Sequence, residues 1–259
     1  MTAPRKKPVA LVTGASQGIG RAVAQTLATS GYDLALLARH KNLLDATAQD
    51  CVGAGARACS VVADLSRSSQ LVGAVEQVVE AFGGLNVLVN CAGIHHRARA
   101  WTADEEDWDE VLSVNLRGPM LLTARALPHI IKSEAGGVVF VGSMASGQNV
   151  PTGGGYCASK CGLLAFARSV FEDVREYGTK VCTISPGYVN TQMMTGRPFD
   201  PDRLLRPADV AEAVRWVLST SPTACPTEIL LQPQREPSVL EDEQGTRQRL
   251  SKGWGRRDE

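Results

Sequence analysis

The sequence predicts an α/β fold in which one doubly wound, mostly parallel sheet of seven strands is covered by helices on both faces. Short apolar runs alternate along the chain with longer segments whose apolar residues recur at helical spacing. Most of the short runs are apolar throughout, as in strands that are buried on both faces. Because a helix follows nearly every strand, we expect right-handed crossovers between parallel neighbours.

The predicted elements follow one another in order from residue 9 to residue 231. The apolar runs are VALVT, DLALLA, ACSVV, VLVN, VVFVGS, VCTIS and EILL, which predict strands at 9–13, 33–38, 58–62, 87–90, 138–143, 181–185 and 228–231. The helical spacing predicts helices at 19–30, 41–53, 66–82, 104–132, 156–177 and 207–218. In the first helix Ile19, Val23 and Leu27 lie four residues apart and share one face.

These elements are predicted to form one domain, 1–236, followed by a polar tail at 237–259. The 259 residues are 44% hydrophobic, which is enough for a sizeable core, and no linker, charge block or internal repeat divides them. The tail is charged and shows no period, so we expect it to be mobile or to close over a neighbouring subunit.

Charge and cysteine content exclude several classes of protein. Lys+Arg and Asp+Glu are both 27, so the formal net charge is zero, and no basic stripe indicates a nucleic-acid partner. The seven cysteines are scattered and never spaced Cys-x-x-Cys, which argues against a disulfide framework or a metal site. No segment has the apolar length of a membrane span or a signal-peptide core, so the sequence predicts a soluble, cytoplasmic protein without a membrane partner.

A glycine-rich turn directly follows the first strand and opens into the first helix. Gly14 permits a tight turn, Gly18 lets the backbone approach a pyrophosphate, and Gly20 lets the helix pack closely on the sheet. The helix N-terminus supplies N–H donors to the anion. This placement predicts a Rossmann-like dinucleotide site that includes Gly14, Ser16, Gln17, Gly18, Ile19 and Gly20.

The end of the second strand indicates which dinucleotide binds. The adenosine ribose of a dinucleotide lies at this point, where a carboxylate would accept from the 2′-hydroxyl and a guanidinium would pair with a 2′-phosphate. Arg39 occupies the position and favours NADP(H). A solvated loop cation without a ligand is the alternative for Arg39.

Tyr156 and Lys160 lie one helical turn apart at the start of the fifth predicted helix, which places a phenol beside an ammonium. A phenol titrates near pH ~10, and bringing it to about 7 requires roughly 4 kcal/mol of preferential stabilisation of the phenolate. A fixed ammonium and a cationic nicotinamide could supply that stabilisation. The pair therefore predicts proton transfer near neutral pH.

Taken together, these motifs resemble the classical short-chain dehydrogenase/reductase family. The glycine spacing is the Gly-x-x-x-Gly-x-Gly form with a threonine before it, rather than Gly-x-Gly-x-x-Gly. Asn115, Ser143, Tyr156 and Lys160 match the Asn-Ser-Tyr-Lys tetrad of the family in order. The resemblance covers nearly the whole chain to about Leu231.

The resemblance implies a role for each member of the tetrad. Ser143 would polarise the substrate carbonyl, and Tyr156 would donate a proton as hydride arrives from the nicotinamide. Lys160 would hold the nicotinamide ribose and lower the pKa of Tyr156. Asn115 would interrupt its helix and anchor a water molecule in a proton relay to Lys160.

Further cofactor contacts are implied after the later strands. In the family, an Asp and its neighbour after the third strand bind the adenine, and an Asn-Asn-Ala-Gly element ends the fourth strand; here Cys91 replaces the second Asn. A Pro-Gly segment after the sixth strand packs beside the nicotinamide. The residues assigned in this way are Asp64, Leu65, Asn90, Ala92, Gly93, Pro186, Gly187, Val189 and Thr191, with Tyr156 and Lys160 touching the cofactor as well.

The substrate pocket is predicted from the remaining loops. A short lid is expected at 192–206, and the other walls would come from His95, His96, Arg97, Trp101, Gln148, Asn149, Val150 and Gly153. The paired histidines lack a third ligand at suitable spacing, so pocket or surface polarity is favoured over a metal. The apolar faces at 121–131 and 163–174 indicate a homodimer or homotetramer, since the equivalent helices pair in relatives.

The predicted function is an NADP(H)-dependent carbonyl reductase or alcohol dehydrogenase. Its substrate would be a small to medium ketone, aldehyde or secondary alcohol, with a 3-oxoacyl thioester among the candidates. An NAD-dependent polyol, sugar or steroid dehydrogenase is one alternative, and a dinucleotide-sensing protein without turnover is another. The sequence does not choose the substrate, because many activities share this fold and catalytic core.

Overall fold

The computed structural model describes residues 7–148, 150–237, 239–241 and 247–249. Its centre is a seven-stranded sheet in the order β3-β2-β1-β4-β5-β6-β7, in which every neighbouring pair is parallel. The strands are β1 Val9–Thr13, β2 Asp33–Ala38, β3 Ala58–Val62, β4 Val87–Asn90, β5 Gly137–Val141, β6 Lys180–Pro186 and β7 Glu228–Leu231. The predicted fold class is confirmed, and apart from β5 and β6 the strands begin and end at the predicted residues.

The helices pack on both faces of this sheet. They are α1 Gly18–Thr29, α2 Lys41–Gly53, α3 Ser68–Leu71, α4 Ala74–Phe82, α5 Glu105–Leu112, α6 Gly118–Ile130, α7 Gly154–Val174 and α8 Pro207–Ser219. None of the helices in the described part of the chain is long and apolar enough to span a bilayer.

Two of the predicted helices are divided in the structure. The helix predicted at 66–82 is interrupted at Val72 and Gly73, where glycine is a poor helix former. The helix predicted at 104–132 contains a wide π-turn, Ser113–Arg117, between α5 and α6. Such turns are rare and concentrate at functional sites. The turn carries Asn115, the residue that the family resemblance expects to interrupt its helix.

The sheet separates two apolar cores. Successive side chains of a strand point to opposite faces, so Phe140 packs with α6 and α7 on one side while Val139 packs with α1 and α8 on the other. Phe140 is fully buried and meets Phe166 edge to face, with 5.9 Å between the ring centroids. Burial of a side chain of this size contributes about 1.5–3 kcal/mol. Both cores hold the strand ends rigidly.

The strand order reverses at β1, which has β2 on one side and β4 on the other. Crossovers leave β1 in one direction and β4 in the other, so their carboxyl ends diverge and open a crevice. Ligands of doubly wound sheets bind at this point. The glycine turn and the loop after β4 both lie there.

The C-terminal segment contains a further pair of strands. β8, Val239–Glu241, pairs antiparallel with β9, Arg247–Arg249. The sequence at 237–259 shows no periodic hydrophobic pattern, so this pairing was not predicted. Pro237 is buried, and its carbonyl accepts a hydrogen bond from the Asp200 amide at 3.2 Å. The other residues of the predicted tail lie outside the described residues, and their mobility stays a prediction.

Candidate active site

The glycine-rich turn closes tightly over the end of β1. Gly14 has φ +67°, and a Cβ at that position would lie 2.9 Å from the Cα of Ala92. A Cβ on Gly20 would lie 2.3 Å from the carbonyl oxygen of Gly14, so only glycine allows α1 to approach this closely. No side chain of the described residues caps α1 at Gln17, which leaves the N–H groups of its first turn for an anion.

A cleft extends from this turn across the carboxyl ends of the strands beside β1. The predicted cofactor residues that line it are Gly14, Ser16, Gln17, Gly18, Ile19, Gly20, Arg39, Asp64, Leu65, Ala92, Gly93 and Thr191. The narrow glycine floor and the uncapped helix N-terminus fit a pyrophosphate, so the residues present fit a nicotinamide dinucleotide.

Arg39 lies at the adenosine end of the cleft and is half exposed. Its Nη1 is 3.9 Å from Asp64 Oδ2 and 3.8 Å from Glu110 Oε1. Exposed pairs of this kind contribute little, so Arg39 can exchange them for a phosphate at small cost. Burial would raise the pKa of Asp64, but hydrogen bonds from Ser66 and the nearby charge of Arg39 outweigh it and lower that pKa. Asp64 is therefore a carboxylate at neutral pH.

Thr13 fixes the loop after β4. Its hydroxyl accepts hydrogen bonds from the amides of Cys91 at 3.0 Å and Ala92 at 3.1 Å. Burial raises the pKa of the Cys91 thiol to about 12, so the residue that replaces the family's second Asn stays protonated. Asn90 turns away from the cleft, and its amide donates to Thr123 in the core at 3.1 Å. Asn90 thus positions the loop rather than lining the cleft.

The side chain of Asn115 is held by the backbone of Ile94. Its Oδ1 accepts from the Ile94 amide at 2.8 Å, while Nδ2 donates to the Ile94 carbonyl at 2.9 Å and to Ser159 Oγ at 3.1 Å. Ser159 in turn donates to the carbonyl of Tyr156 at 2.7 Å. The amide of Asn115 therefore joins the loop after β4 to the helix that carries Tyr156.

Gly93 connects the cleft to the tetrad. A Cβ on Gly93 would lie 3.4 Å from Asn115 Oδ1 and 3.5 Å from Lys160 Nζ. Since Gly93 also lines the cleft, the buried amide and ammonium lie immediately beside the place where the dinucleotide fits.

Ser143 and Tyr156 are brought together from two elements. Ser143 ends the stretch after β5, where its Oγ accepts from the Ala145 amide at 3.1 Å. Its side chain also lies close enough to the Tyr156 phenol to lower the pKa of that phenol, which projects from the first turn of α7. The loop between β5 and α7 thus places a hydroxyl beside a phenol, as the sequence predicted.

Burial dominates the electrostatics of the pair Tyr156 and Lys160. Burial raises the pKa of Tyr156. The Ser143 side chain and the charge of Arg197 oppose this rise in the pKa. Lys160 Nζ lies 5.8 Å from the centre of the phenol ring and donates to the Val141 carbonyl at 2.9 Å. Burial also lowers the pKa of Lys160 to about 8. In the described structure burial thus raises the phenol pKa, and Lys160 is not among the groups that lower it; the lowering predicted for Lys160 together with a cationic nicotinamide stays a prediction.

Comparison with known proteins decides the family. Residues 8–200, more than half of the chain, match the sequence model of the family described as short chain dehydrogenase. The chain belongs to the short-chain dehydrogenase family. Membership makes it an oxidoreductase that acts on alcohol or ketone groups.

Similar proteins cover nearly the whole chain. An uncharacterised oxidoreductase of Staphylococcus epidermidis is 30% identical over 228 residues, which are 88% of this chain and 98% of the relative. The alcohol dehydrogenase of Thermococcus sibiricus, solved with 5-hydroxy-NADP, is 30% identical with a TM-score of 0.82 over 88% of this chain and 98% of that one. The 3-oxoacyl-[acyl-carrier protein] reductase of Brucella melitensis, solved with NAD, is 28% identical with a TM-score of 0.81 over 88% and 96%.

In this short-chain dehydrogenase Pro186, Gly187 and Val189 pack behind the cleft, and Thr191 lines it. Pro186 is the last residue of β6, and the amide of Gly187 donates to the Leu231 carbonyl at 2.7 Å. Val189 is only 6% exposed and belongs to the core on the α8 side. Thr191 reaches the cleft, with its methyl group 3.4 Å from the position of a Cβ on Gly18.

In this short-chain dehydrogenase the predicted lid and the loop after β4 both reach the surroundings of Tyr156. The lid contains two short 3₁₀ turns, Gln192–Met194 and Pro201–Arg203. The two histidines diverge, since the ring of His95 lies against Tyr156 while His96 Nε2 bonds Glu110 Oε2 at 2.8 Å. No cluster of three metal-binding side chains occurs among the described residues.

Other predicted wall residues are dispersed. Trp101 is 76% exposed and stacks with Arg99, and Gln148 is exposed. Val150 and Gly153 precede α7, where Gly153 forms a bridge with Ala98, and Asn149 lies outside the described residues.

Sequence reasoning missed three residues of the site. Thr13 had a signal, since it directly precedes the first glycine of the turn. Ser159 lies inside the run from Tyr156 to Lys160 but carries no distinguishing pattern. Arg197 fell within the predicted lid, yet nothing in the sequence indicates that its charge reaches Tyr156.

Proposed function

We propose that this short-chain dehydrogenase is an NADP(H)-dependent reductase of ketones and aldehydes that also oxidises the corresponding secondary alcohols. The proposed catalytic residues are Asn115, Ser143, Tyr156 and Lys160. The observation that supports it best is that the Tyr156 phenol lies close to the Ser143 side chain and to Lys160, beside a cleft that fits a dinucleotide. A reductase solved with its nicotinamide cofactor is among the similar structures, which agrees with this class.

The bound nicotinamide supplies or accepts the hydride at the carbon of the substrate. Ser143 holds the substrate oxygen by a hydrogen bond and so polarises the carbonyl. Tyr156 donates its proton to that oxygen as negative charge develops, and the carbonyl becomes an alcohol. Because burial raises the pKa of Tyr156, the phenol carries this proton at neutral pH.

Lys160 and Asn115 support the proton donor. With its pKa lowered to about 8, Lys160 can exchange a proton near neutral pH and replace the one that Tyr156 gives up. Asn115 acts as a positioning residue, since its amide ties Ile94 to Ser159 in front of the cleft. A water relay through Asn115 would have to use its backbone, because the side-chain N–H groups are occupied.

Arg39 supports NADP(H) over NAD(H) as the cofactor. Its guanidinium borders the cleft and holds its two carboxylate partners only at 3.8 and 3.9 Å. The rival is an NAD-dependent polyol, sugar or steroid dehydrogenase, in which Asp64 rather than Arg39 would dominate the adenosine end. A non-catalytic dinucleotide sensor is the second rival, and the presence of all four tetrad residues, with Asn115 and Lys160 buried, favours the enzyme over it.

The test is NADPH oxidation over a panel of ketones and aldehydes with wild-type protein and Tyr156→Phe. We expect the phenylalanine variant to lose roughly 10²- to 10⁴-fold in rate, the usual contribution of a general acid. Tyr177→Phe is the matched control, since Tyr177 is exposed at the end of α7. Equal activity of Tyr156→Phe and wild type on every carbonyl would exclude the proposed chemistry.

We also propose a cytoplasmic homodimer or homotetramer. All seven cysteines are free, which agrees with a reducing compartment. Leu112 and Met120 are exposed on α5 and α6, where a second copy could cover them. Sedimentation analysis of the full chain would measure the oligomeric state.

A further inference from the structure

Two side chains that can donate hydrogen bonds, Arg197 and His95, lie beside Tyr156. Arg197 Nη2 lies 3.3 Å from His95 Nδ1, and the His95 ring is 4.5 Å from the Tyr156 ring between centroids. The charge of Arg197 acts on Tyr156 and on Tyr188. A guanidinium and an imidazole thus lie against the group proposed to donate the proton.

The contact between Arg197 and His95 fixes the imidazole tautomer. Arginine can only donate, so Nδ1 of His95 must accept, and the ring proton is on Nε2. Burial, with the nearby charges of Arg197 and Arg97, lowers the pKa of His95 to about 4, so the ring is neutral. Nε2 is buried and has no hydrogen-bond partner among the described residues. A buried N–H donor without an acceptor is costly, so an acceptor on a ligand that reaches Nε2 would be favoured.

Arg197 likewise lacks a negative partner. No carboxylate of the described residues lies within salt-bridge distance of it, although its side chain is half-buried and burial lowers its pKa. The neighbouring positive charge of Arg97 repels Arg197 and lowers its pKa further. A partly buried charge of this kind is stabilised by an anion.

The loop that carries His95 is held in a fixed position relative to Tyr156. Arg97 Nε donates to Thr152 Oγ1 at 3.3 Å, and the Ala98 amide donates to the Thr152 carbonyl at 3.0 Å. Thr152 has φ +61°, a strained conformation for a β-branched residue that these bonds maintain. Because Thr152 lies two residues before Gly154, the first residue of α7, the loop that carries His95 is tied to the start of the helix that carries Tyr156.

We propose that Arg197 and His95 form a carboxylate subsite, so that the substrates of this enzyme are short oxo acids and the matching hydroxy acids. The inference rests on the proposed function, because it assigns the group next to the carbonyl that Tyr156 protonates. The carboxylate would accept from the guanidinium of Arg197 and from Nε2–H of His95. A neutral ketone or a thioester carries no negative group at that place and would leave both donors unsatisfied.

The test compares each acid with its methyl ester. Pyruvate, acetoacetate and levulinate place the carboxylate at increasing distance from the ketone, and each ester removes only the charge. We expect wild-type kcat/KM for at least one acid to exceed that of its ester about ten- to a hundredfold. In Arg197→Gln the ratio of KM for the acid to KM for its ester should rise by a similar factor, because the lost charge beside Tyr156 affects both substrates alike and cancels in this ratio. Arg215→Gln, an exposed arginine paired with Glu212, is the control.

A binding experiment separates this inference from the proposed reaction. Calorimetry of wild type and Arg197→Gln, saturated with NADP⁺, would measure the affinities of pentanoate and pentanamide. We expect wild type to prefer pentanoate and the variant to lose that preference. If no carbonyl is reduced but this preference is found, the reaction assignment fails and the subsite stands.

The opposite outcome is equally clear. If neutral ketones and esters are reduced through Tyr156 as well as the acids, and pentanoate binds no better than pentanamide, the subsite is refuted while the reductase assignment stands. An equal loss of kcat/KM for acid and ester in Arg197→Gln would show that Arg197 stabilises the lid and does not bind the substrate carboxylate.

Discussion

The ammonium of Lys160 donates to the carbonyl of Val141 at the end of β5, across 2.9 Å. The lysine is 4% exposed, and its pKa is lowered to about 8 from the ordinary 10.5 because burial disfavours the charged form. Protonation of Lys160 at this buried position between β5 and α7 therefore lowers the free energy of unfolding. As a result, the free energy of unfolding changes with pH in the alkaline range.

The sign of this dependence follows from the lowered pKa. Between about pH 8 and 10.5 the unfolded chain binds a proton at Lys160 that the folded protein has lost, so the free energy of unfolding rises with pH there. We expect the free energy of unfolding to rise by about 3 kcal/mol across that pH range. Urea unfolding of wild type and Lys160→Met at several pH values measures it, and parallel curves for the two proteins would contradict the assignment.

Arg39 is expected to control the choice between NADPH and NADH. Arg39→Gln removes the charge that would pair with a 2′-phosphate and should weaken NADPH about ten- to a hundredfold while changing NADH little. Arg67→Gln is the matched control, because Arg67 is exposed and its charge also acts on Asp64. Fluorescence titration with both cofactors measures the affinities. Similar losses for NADPH and NADH would assign Arg39 to general packing.

Thr13 is expected to control the position of the loop after β4. Thr13→Val keeps the shape but leaves the amides of Cys91 and Ala92 without their acceptor, which costs about 1–3 kcal/mol when such groups are buried. Thr13→Ser keeps the hydroxyl and should retain most of the stability. Thermal unfolding with and without NADPH measures the two variants. If valine and serine behave alike, the hydroxyl has no part in holding the loop.

Gly20 is expected to tolerate no side chain. Gly20→Ala would bring a Cβ to 2.3 Å from the Gly14 carbonyl oxygen, so α1 must shift away from β1. We expect this variant to lose dinucleotide affinity by more than tenfold and to be less stable than wild type.

Gly53→Ala is the matched control for that substitution. Gly53 ends α2, and no atom lies within 4 Å of an added Cβ. Alanine there should stabilise the protein by about 0.5–1 kcal/mol and leave cofactor affinity unchanged. Calorimetric titration with NADPH compares both variants, and unaltered affinity in Gly20→Ala would refute the close approach of helix and strand.

The sequence was sufficient for the fold because its signals are local. The apolar run at 33–38 and the spacing of Ile19, Val23 and Leu27 mark a buried strand and an amphipathic helix without tertiary information. The glycine turn also identified its own place, because Gly20 is required by its contact with nearby Gly14, and Gly14 by the positive φ of its own backbone.

The site was predictable only in part because its energetics depend on distant groups. Tyr156 and Lys160 were found by their spacing, yet the burial that raises one pKa and lowers the other comes from the whole surrounding fold. The contact between Arg197 and His95 joins residues 102 positions apart, and no pattern along the chain encodes it. Asn90 and Val189 were assigned to the cofactor by motif, although their side chains lie in the core.

The π-turn at Ser113–Arg117 makes the active site sensitive to the number of residues and not only to their kinds. Each residue of an α-helix advances the chain by about 100° around the axis. The widened turn accommodates one extra residue, so deleting Ser113 would convert it to regular helix and move Asn115 around the axis, while α5 and α6 keep their faces. The amide of Asn115 would then lose its register with Ile94, and the loop after β4 would no longer be joined to the helix that carries Tyr156.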